Sequence, residues 1–300
     1  MTNHARVFLL LLALTACSGP ASSGSSASSP DGACTDWAAR YCDRLNACSP
    51  FTLQFGYASV AECTARNKPV CLGGLSAPGT GATPAAVEAC SGLFATDTCE
   101  DVIIRKPPQG CNVDGSLGAG KPCGDGSQCV GPDGYCKIDD NDTCGTCATL
   151  SGVGGSCSSD RDCAYGLICG TLTCQTPVKV GSQCDGATLF CQGSVLCADS
   201  TCVMPLGLGA PCTPQADLCD MDLGTCDPQS MVCTATAAPA PRGASCAGKA
   251  CANGVCGAQG TCVAYPPDGS ACDPTRGLYC ASPAVCVNSV CVLADASQCH

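Results

Sequence analysis

GGSCSSDRDCAYGLICGTLTC, residues 154–174, holds four cysteines, three glycines besides the opening pair's first, and no apolar run long enough for a buried helix or strand. Its opening, Gly-Gly-Ser-Cys, recurs along the chain. GKPC, GGSC, GSQC, GAPC, GASC and GSAC open six blocks at Cys123, Cys157, Cys184, Cys212, Cys246 and Cys272. Each opening places a glycine three residues before its cysteine: Gly120, Gly154, Gly181, Gly209, Gly243 and Gly269. A turn with positive φ asks for glycine at such a position. The openings lie 26 to 34 residues apart and mark a tandem repeat. Blocks so rich in Gly, Pro and Asp cannot form long helices, which leaves short hairpins clipped by disulfides.

The cysteines follow the repeat. The first block holds Cys123, Cys129, Cys136, Cys144 and Cys147, and the second Cys157, Cys163, Cys169 and Cys174. Next come Cys184, Cys191, Cys197 and Cys202, then Cys212, Cys219, Cys226 and Cys233, then Cys246, Cys251, Cys256 and Cys262. The last block has Cys272, Cys280, Cys286, Cys291 and Cys299. An end block of five cysteines cannot pair within itself, so at least one bond must leave it. The primary expectation is one bond between each pair of neighbouring blocks, giving a chained rod. The alternative is a single closure from first block to last, which would bend the array into a ring.

Residues 34–111 read differently. They carry Cys34, Cys42, Cys48, Cys63, Cys71, Cys90, Cys99 and Cys111 in a helical pattern. Positions 34, 37, 38, 41, 42, 45 and 48 share one helical face, and Pro50 ends that helix. Ser59 to Glu62 fits a capping box opening a second helix, which should stop before Pro69. Thr83 followed by Pro84 opens a third, carrying Val87, Cys90 and Phe94. The expectation is a short α-helical bundle stapled by four disulfides. A segment of linker composition, 112–122, then leads into six repeats over 123–299. The fold class is therefore small and disulfide-rich: a helical disulfide bundle followed by an array of Cys-rich β-hairpin modules.

Cysteine makes up 35 of 300 residues, and only twelve residues are aromatic. That composition supplies no large enzyme core, and disulfides must substitute for one. The first sixteen residues have the weakly basic start, apolar stretch and small-residue end of a secretory signal. Their apolar run is too short for a membrane span. The string Leu14-Thr15-Ala16-Cys17 resembles the lipobox of bacterial lipoproteins. That resemblance implies cleavage after residue 16, lipidation of Cys17 and, with Ser18 next, an outer-membrane surface location. Without Cys17, 34 cysteines remain, an even number. Residues 17–33 have the Ser/Gly composition of a flexible tether. Loss of the leader removes Arg6 and no acid, taking the net charge from −11 to −12, which disfavours nucleic acid.

The stretch CGDGSQCVGPDGYCKIDDNDTCGTC with CSSDRDCAYGLICGTLTC, residues 123–174, resembles the cysteine-rich N-terminal domain of Dickkopf proteins. The shared features are the Cys-x5-Cys openings, the glycine before the third cysteine and the Cys144-x2-Cys147 pair. The chain departs at Cys163, where that family shows two adjacent cysteines. The resemblance implies an extracellular, protein-binding module and carries over no signalling role.

Candidate chemistry is sparse. Cys144-Gly-Thr-Cys147 is the one Cys-x-x-Cys, and it lies in loops rather than at the helix start a redox motif needs. With no second such pair, a zinc ribbon is not expected. Asp139-Asp140-Asn141-Asp142 lacks the alternating ligands of an EF-hand. The two histidines are His4, in the leader, and His300, so no histidine-based triad or zinc site is expected in the body. No enzyme activity, metal or cofactor is anticipated. The expected function is that of a surface-anchored binding, adhesion or envelope-structural module facing a protein or cell-surface glycan. The alternatives are a protease inhibitor and a carboxylate-based hydrolase. Loops that differ in every block (SSDRD, DGATLF, TPQADL, AGKA) weaken the inhibitor reading.

Overall fold

A computed structural model describes residues 29–139, 142–186, 189–193 and 195–300. Residues 1–28, with Cys17 and most of the stretches expected as leader and tether, lie outside the described residues.

Five helices make a hub: α1 (Pro30–Cys48), α2 (Pro50–Tyr57), α3 (Val60–Ser76), α4 (Pro84–Leu93) and α5 (Cys99–Ile103). Residues 30–33, read from composition as tether, are the first turn of α1. Ser29 Oγ accepts from the Gly32 N–H, and Pro30 takes a position where no N–H is needed. Pro50 ends α1 and also starts α2, with Ser49 as its cap. The expected stop before Pro69 is incorrect, because α3 runs through that proline to Ser76. An interior proline costs a helix about 3 kcal/mol. Here Cys63 bonds Cys42 and Cys71 bonds Cys34, so α3 is fastened to α1 on both sides of Pro69. The cysteine pairs are eight residues apart on both helices and meet antiparallel, and Pro69 itself faces solvent. Two more bonds, Cys48 to Cys99 and Cys90 to Cys111, bind α5 and the end of the hub. Inside lie Tyr41, Leu45, Leu53, Tyr57, Phe94 and Val102. Trp37 stacks on Tyr41 and meets Phe94 edge-on, with centroids 6.1 and 5.9 Å away.

The six repeats share one design. With Cys144 and Cys299 set aside, each repeat has four cysteines, the fourth of repeat 1 being Cys147. The third and fourth face each other across an antiparallel hairpin, as Cys169 does Cys174 and Cys197 does Cys202. Facing positions point to the same side of the hairpin. They do not bond each other: the third cysteine takes the first and the fourth takes the second. Cys157 thus bonds Cys169, and Cys163 bonds Cys174. The same order holds for Cys123–Cys136 with Cys129–Cys147, and for Cys184–Cys197 with Cys191–Cys202. It continues in Cys212–Cys226 with Cys219–Cys233, Cys246–Cys256 with Cys251–Cys262, and Cys272–Cys286 with Cys280–Cys291. The paired cystines are themselves the core, joined in the fourth repeat by Leu206.

The six glycines before the first cysteines all have φ between +77° and +82°. Each donates its N–H to the carbonyl of its repeat's fourth cysteine at 2.7–2.8 Å. That bond holds the incoming strap against the hairpin and requires the left-handed turn. The strap begins three residues earlier: Leu117 bridges Cys129, Ser151 bridges Cys163, and Val178, Leu206 and Ala240 bridge their own second cysteines. Residues 117–122, of linker composition, are thus the leading strap of repeat 1.

The chained rod is not what forms. No disulfide joins neighbouring repeats among the described cysteines; one bond, Cys144 to Cys299, joins the first block to the last across 155 residues. The two odd cysteines satisfy each other, and the array closes into a ring. It closes around the hub, which five of the repeats touch through specific polar contacts. Gln128 of repeat 1 donates to the Pro78 carbonyl, and buried Lys106 donates to the carbonyls of Asp160 and Cys163 in repeat 2. Ser49 donates to the Asp222 carbonyl of repeat 4. Asn253 of repeat 5, fully buried, reaches the Gln54 and Phe55 carbonyls through its backbone and Glu62 through its side chain. Arg66 donates to the Ser282 and Ala281 carbonyls of repeat 6 and pairs with Asp268. At the closure, Asp295 and Ala296 press onto Gly73 of α3, where a Cβ would come within 2.9 Å. No disulfide links the hub to the ring.

Candidate binding surface

All 34 cysteines from Cys34 to Cys299 are disulfide-bonded. Three cysteine sulfurs lie within 4.8 Å of one another in most repeats, such as Cys123, Cys129 and Cys147. These are stacked cystines, and a cystine sulfur offers no thiolate to a metal. Cys144 and Cys147 are not bonded to each other; Cys147 staples repeat 1 internally and Cys144 closes the ring. Of the acidic run, Asp139 and Asp142 are joined by a backbone hydrogen bond of 3.0 Å, while Asp140 and Asn141 lie outside the described residues.

Carboxylates gather where α5 meets repeat 2. Burial, then the neighbouring Asp101, pushes the Asp97 carboxyl up to about 6, against hydrogen bonding at Thr98 and the charge of Arg44. Glu100 is also raised, by burial and then by Asp160 and Asp101. Burial pulls Lys106 down, and its ammonium sits 4.9 Å from the Tyr165 ring centre. Asp160 Oδ1 accepts the Cys169 N–H. Asp162 goes the other way: burial opposes its charge, yet bonds from Ser158 and Tyr135 and the Lys137 ammonium hold it down near 2. Because Tyr135 and Lys137 belong to repeat 1, this carboxylate joins two repeats. These ionisable groups are used in docking modules together.

The hairpin tips are short. Thr171-Leu172, Asp199-Ser200 and Asn288-Ser289 have positive φ at both residues, the type I′ signature of two-residue turns. Such tips present no extended loop.

One surface stands apart. Phe51 and Phe55 on α2 stack at 6.0 Å, Phe55 meets Tyr265 edge-on at 6.4 Å, and Tyr265 meets Tyr279 edge-on at 6.4 Å. Four of the chain's twelve aromatics thus form one continuous stripe over the seam between hub and repeats 5 and 6. Phe55 is 42% and Tyr279 52% exposed. Exposed Leu278 lies next to Tyr279 in the chain, and Val263 two residues before Tyr265. The nearby charges are paired: Arg66 with Asp268, Arg242 with Glu62, Arg276 with Asp273. Sequence reasoning missed the stripe. Only the i, i+4 spacing of Phe51 and Phe55 hinted at a shared face, and nothing joined them to residues 265 and 279. No family model matches the chain, and no curated protein or solved structure matches it either.

Proposed function

We propose that this is a lipid-anchored extracytoplasmic binding module, held to an outer membrane through Cys17 and presenting the aromatic stripe to a protein or glycan on a cell surface. The stripe of Phe51, Phe55, Tyr265 and Tyr279, with Phe55 and Tyr279 exposed and the other two half-buried, carries the reading. Large aromatics left in water cost free energy that a partner's contact recovers, and aromatic side chains dominate interface energetics. The stripe also suits its position. The chain enters the body at Pro30, and α2 follows the far end of α1, whose 19 residues span about 28 Å. The binding face then lies away from the tether. No helix among the described residues is long and apolar enough to cross a membrane, and the lipobox resemblance at Cys17 supports anchoring by lipid. The likeness of residues 123–174 to an extracellular protein-binding module agrees with this reading.

The test uses the soluble body, residues 29–300, fluorescently labelled and titrated onto intact cells. Replacing Phe55 and Tyr279 together by Ser should weaken binding about tenfold or more, with the disulfides and circular dichroism unchanged. Protease or glycosidase treatment of the cells then assigns the partner's class. Binding unaffected by the double replacement refutes the stripe, and membrane retention of Cys17→Ser refutes the anchor.

A further inference from the structure

Where the ring first leaves the hub, a half-open cavity of about 150 Å³ forms between α1, α3, α4, the 107–113 segment and repeat 1. Its hub walls are mostly apolar, with Trp37, Val70, Leu75, Ala86 and Val87, and Asn112 adds one amide. The opposite wall is Asp125 to Ser127 of repeat 1. Asp125 is the one carboxylate in the lining, and no cationic side chain accompanies it. Its Oδ1 accepts the Ser127 N–H at 2.9 Å and hydroxyl at 2.6 Å. Its Oδ2 borders Gly74, lying 3.4 Å from where a Cβ there would stand. Across the space, Trp37 packs one side of its ring in the hub core and remains half-buried.

From this juxtaposition we infer that the seam between hub and repeat 1 is a binding site for a small apolar amine, its ring or branched chain among the aliphatics and its ammonium on Asp125. A cavity of roughly 150 Å³ with apolar walls accepts a benzene-sized group. A carboxylate at its rim selects a cation over a neutral or anionic head, because a charge-assisted bond there is stronger than a neutral one. A chain with net charge −11 also draws cations toward it. None of the four aromatic-stripe residues lines this cavity, so the two readings stand or fall separately.

Trp37 is the chain's single tryptophan, so its emission reports on the cavity without labelling. The folded body is titrated with benzylamine, benzyl alcohol and benzoate. Benzylamine should give a saturable change, benzyl alcohol should bind about tenfold more weakly, and benzoate should give no saturation. Asp125→Asn keeps the cap on Ser127 and should reduce benzylamine to the level of the alcohol, leaving the alcohol itself unchanged. Ala86→Leu, filling the apolar end, should abolish both responses. No saturable response to benzylamine, or an equal response in Asp125→Asn, overturns the inference. Helical circular dichroism on each variant separates loss of the site from loss of the fold.

Discussion

The hub and the ring use the same bond for different ends. In the hub, four disulfides span 21 to 51 residues and lie beside an aromatic core of Tyr41, Tyr57 and Phe94. In the ring, twelve bonds span only 10 to 18 residues, and a repeat's core is little more than its own cystines with one aliphatic residue such as Leu206. The hub's disulfides reinforce a core that apolar burial already favours. Those of the ring stand in for a core that units of 26 to 34 residues could not otherwise build.

That contrast can be broken most forcefully by reduction. Each short cystine loop stabilises by about 3 kcal/mol on the chain-entropy argument, so a repeat losing both bonds loses about 6 kcal/mol. Dithiothreitol without denaturant should make residues 123–299 protease-sensitive while helical circular dichroism from the hub falls less. A hub that unravels first would reverse the comparison.

Opening the ring alone is a gentler test. Replacing Cys144 and Cys299 together by Ser leaves every repeat and the hub fully bonded. The expected loss is about 3–5 kcal/mol, since this bond closes the longest loop in the chain. Hydrogen exchange should rise in the segment around Asp295 and in repeat 1, where that segment packs, and remain unchanged in the middle repeats. A uniform rise would mean that the clasp holds the whole ring to the hub.

The smallest effect concerns the seam of α5 and repeat 2. Asp97 has a folded-state pKa near 6, above its ordinary value, because burial and Asp101 disfavour its charge. A raised carboxyl contributes stability at low pH, where it is protonated, and loses that contribution as pH climbs through about 6. Asp97→Asn should therefore raise the melting midpoint at pH 7 by about 1–3 °C and flatten its fall between pH 4 and 7, the partial exposure of Asp97 keeping the gain small. An unchanged pH profile would show that Asp97 is well solvated.

Much of this architecture is legible in the chain. The six glycines announce a positive-φ turn, and all six adopt it. The cysteine counts leave two solutions, and parity alone cannot choose between a chained rod and a ring. The choice is made by contacts that carry no periodic signal: Gln128, Lys106, Ser49 and Asn253 are single polar residues, unremarkable in composition, that happen to meet a carbonyl across the seam. Helix α2 is hidden in the sequence because Pro50, a signal that ends α1, also starts the next helix. At Pro69 local propensity predicts a helix end, and two disulfides override it. The aromatic stripe and the amine cavity both lie on seams between hub and ring, so neither could be found before the wrapping was known.

Disulfide mapping of the unreduced chain by mass spectrometry tests the closed ring directly. Cys144 should be found with Cys299, and each repeat should yield first-to-third and second-to-fourth pairs, as Cys157 with Cys169 and Cys163 with Cys174. A bond between any two adjacent repeats, or one joining Cys144 to Cys147, would contradict the ring.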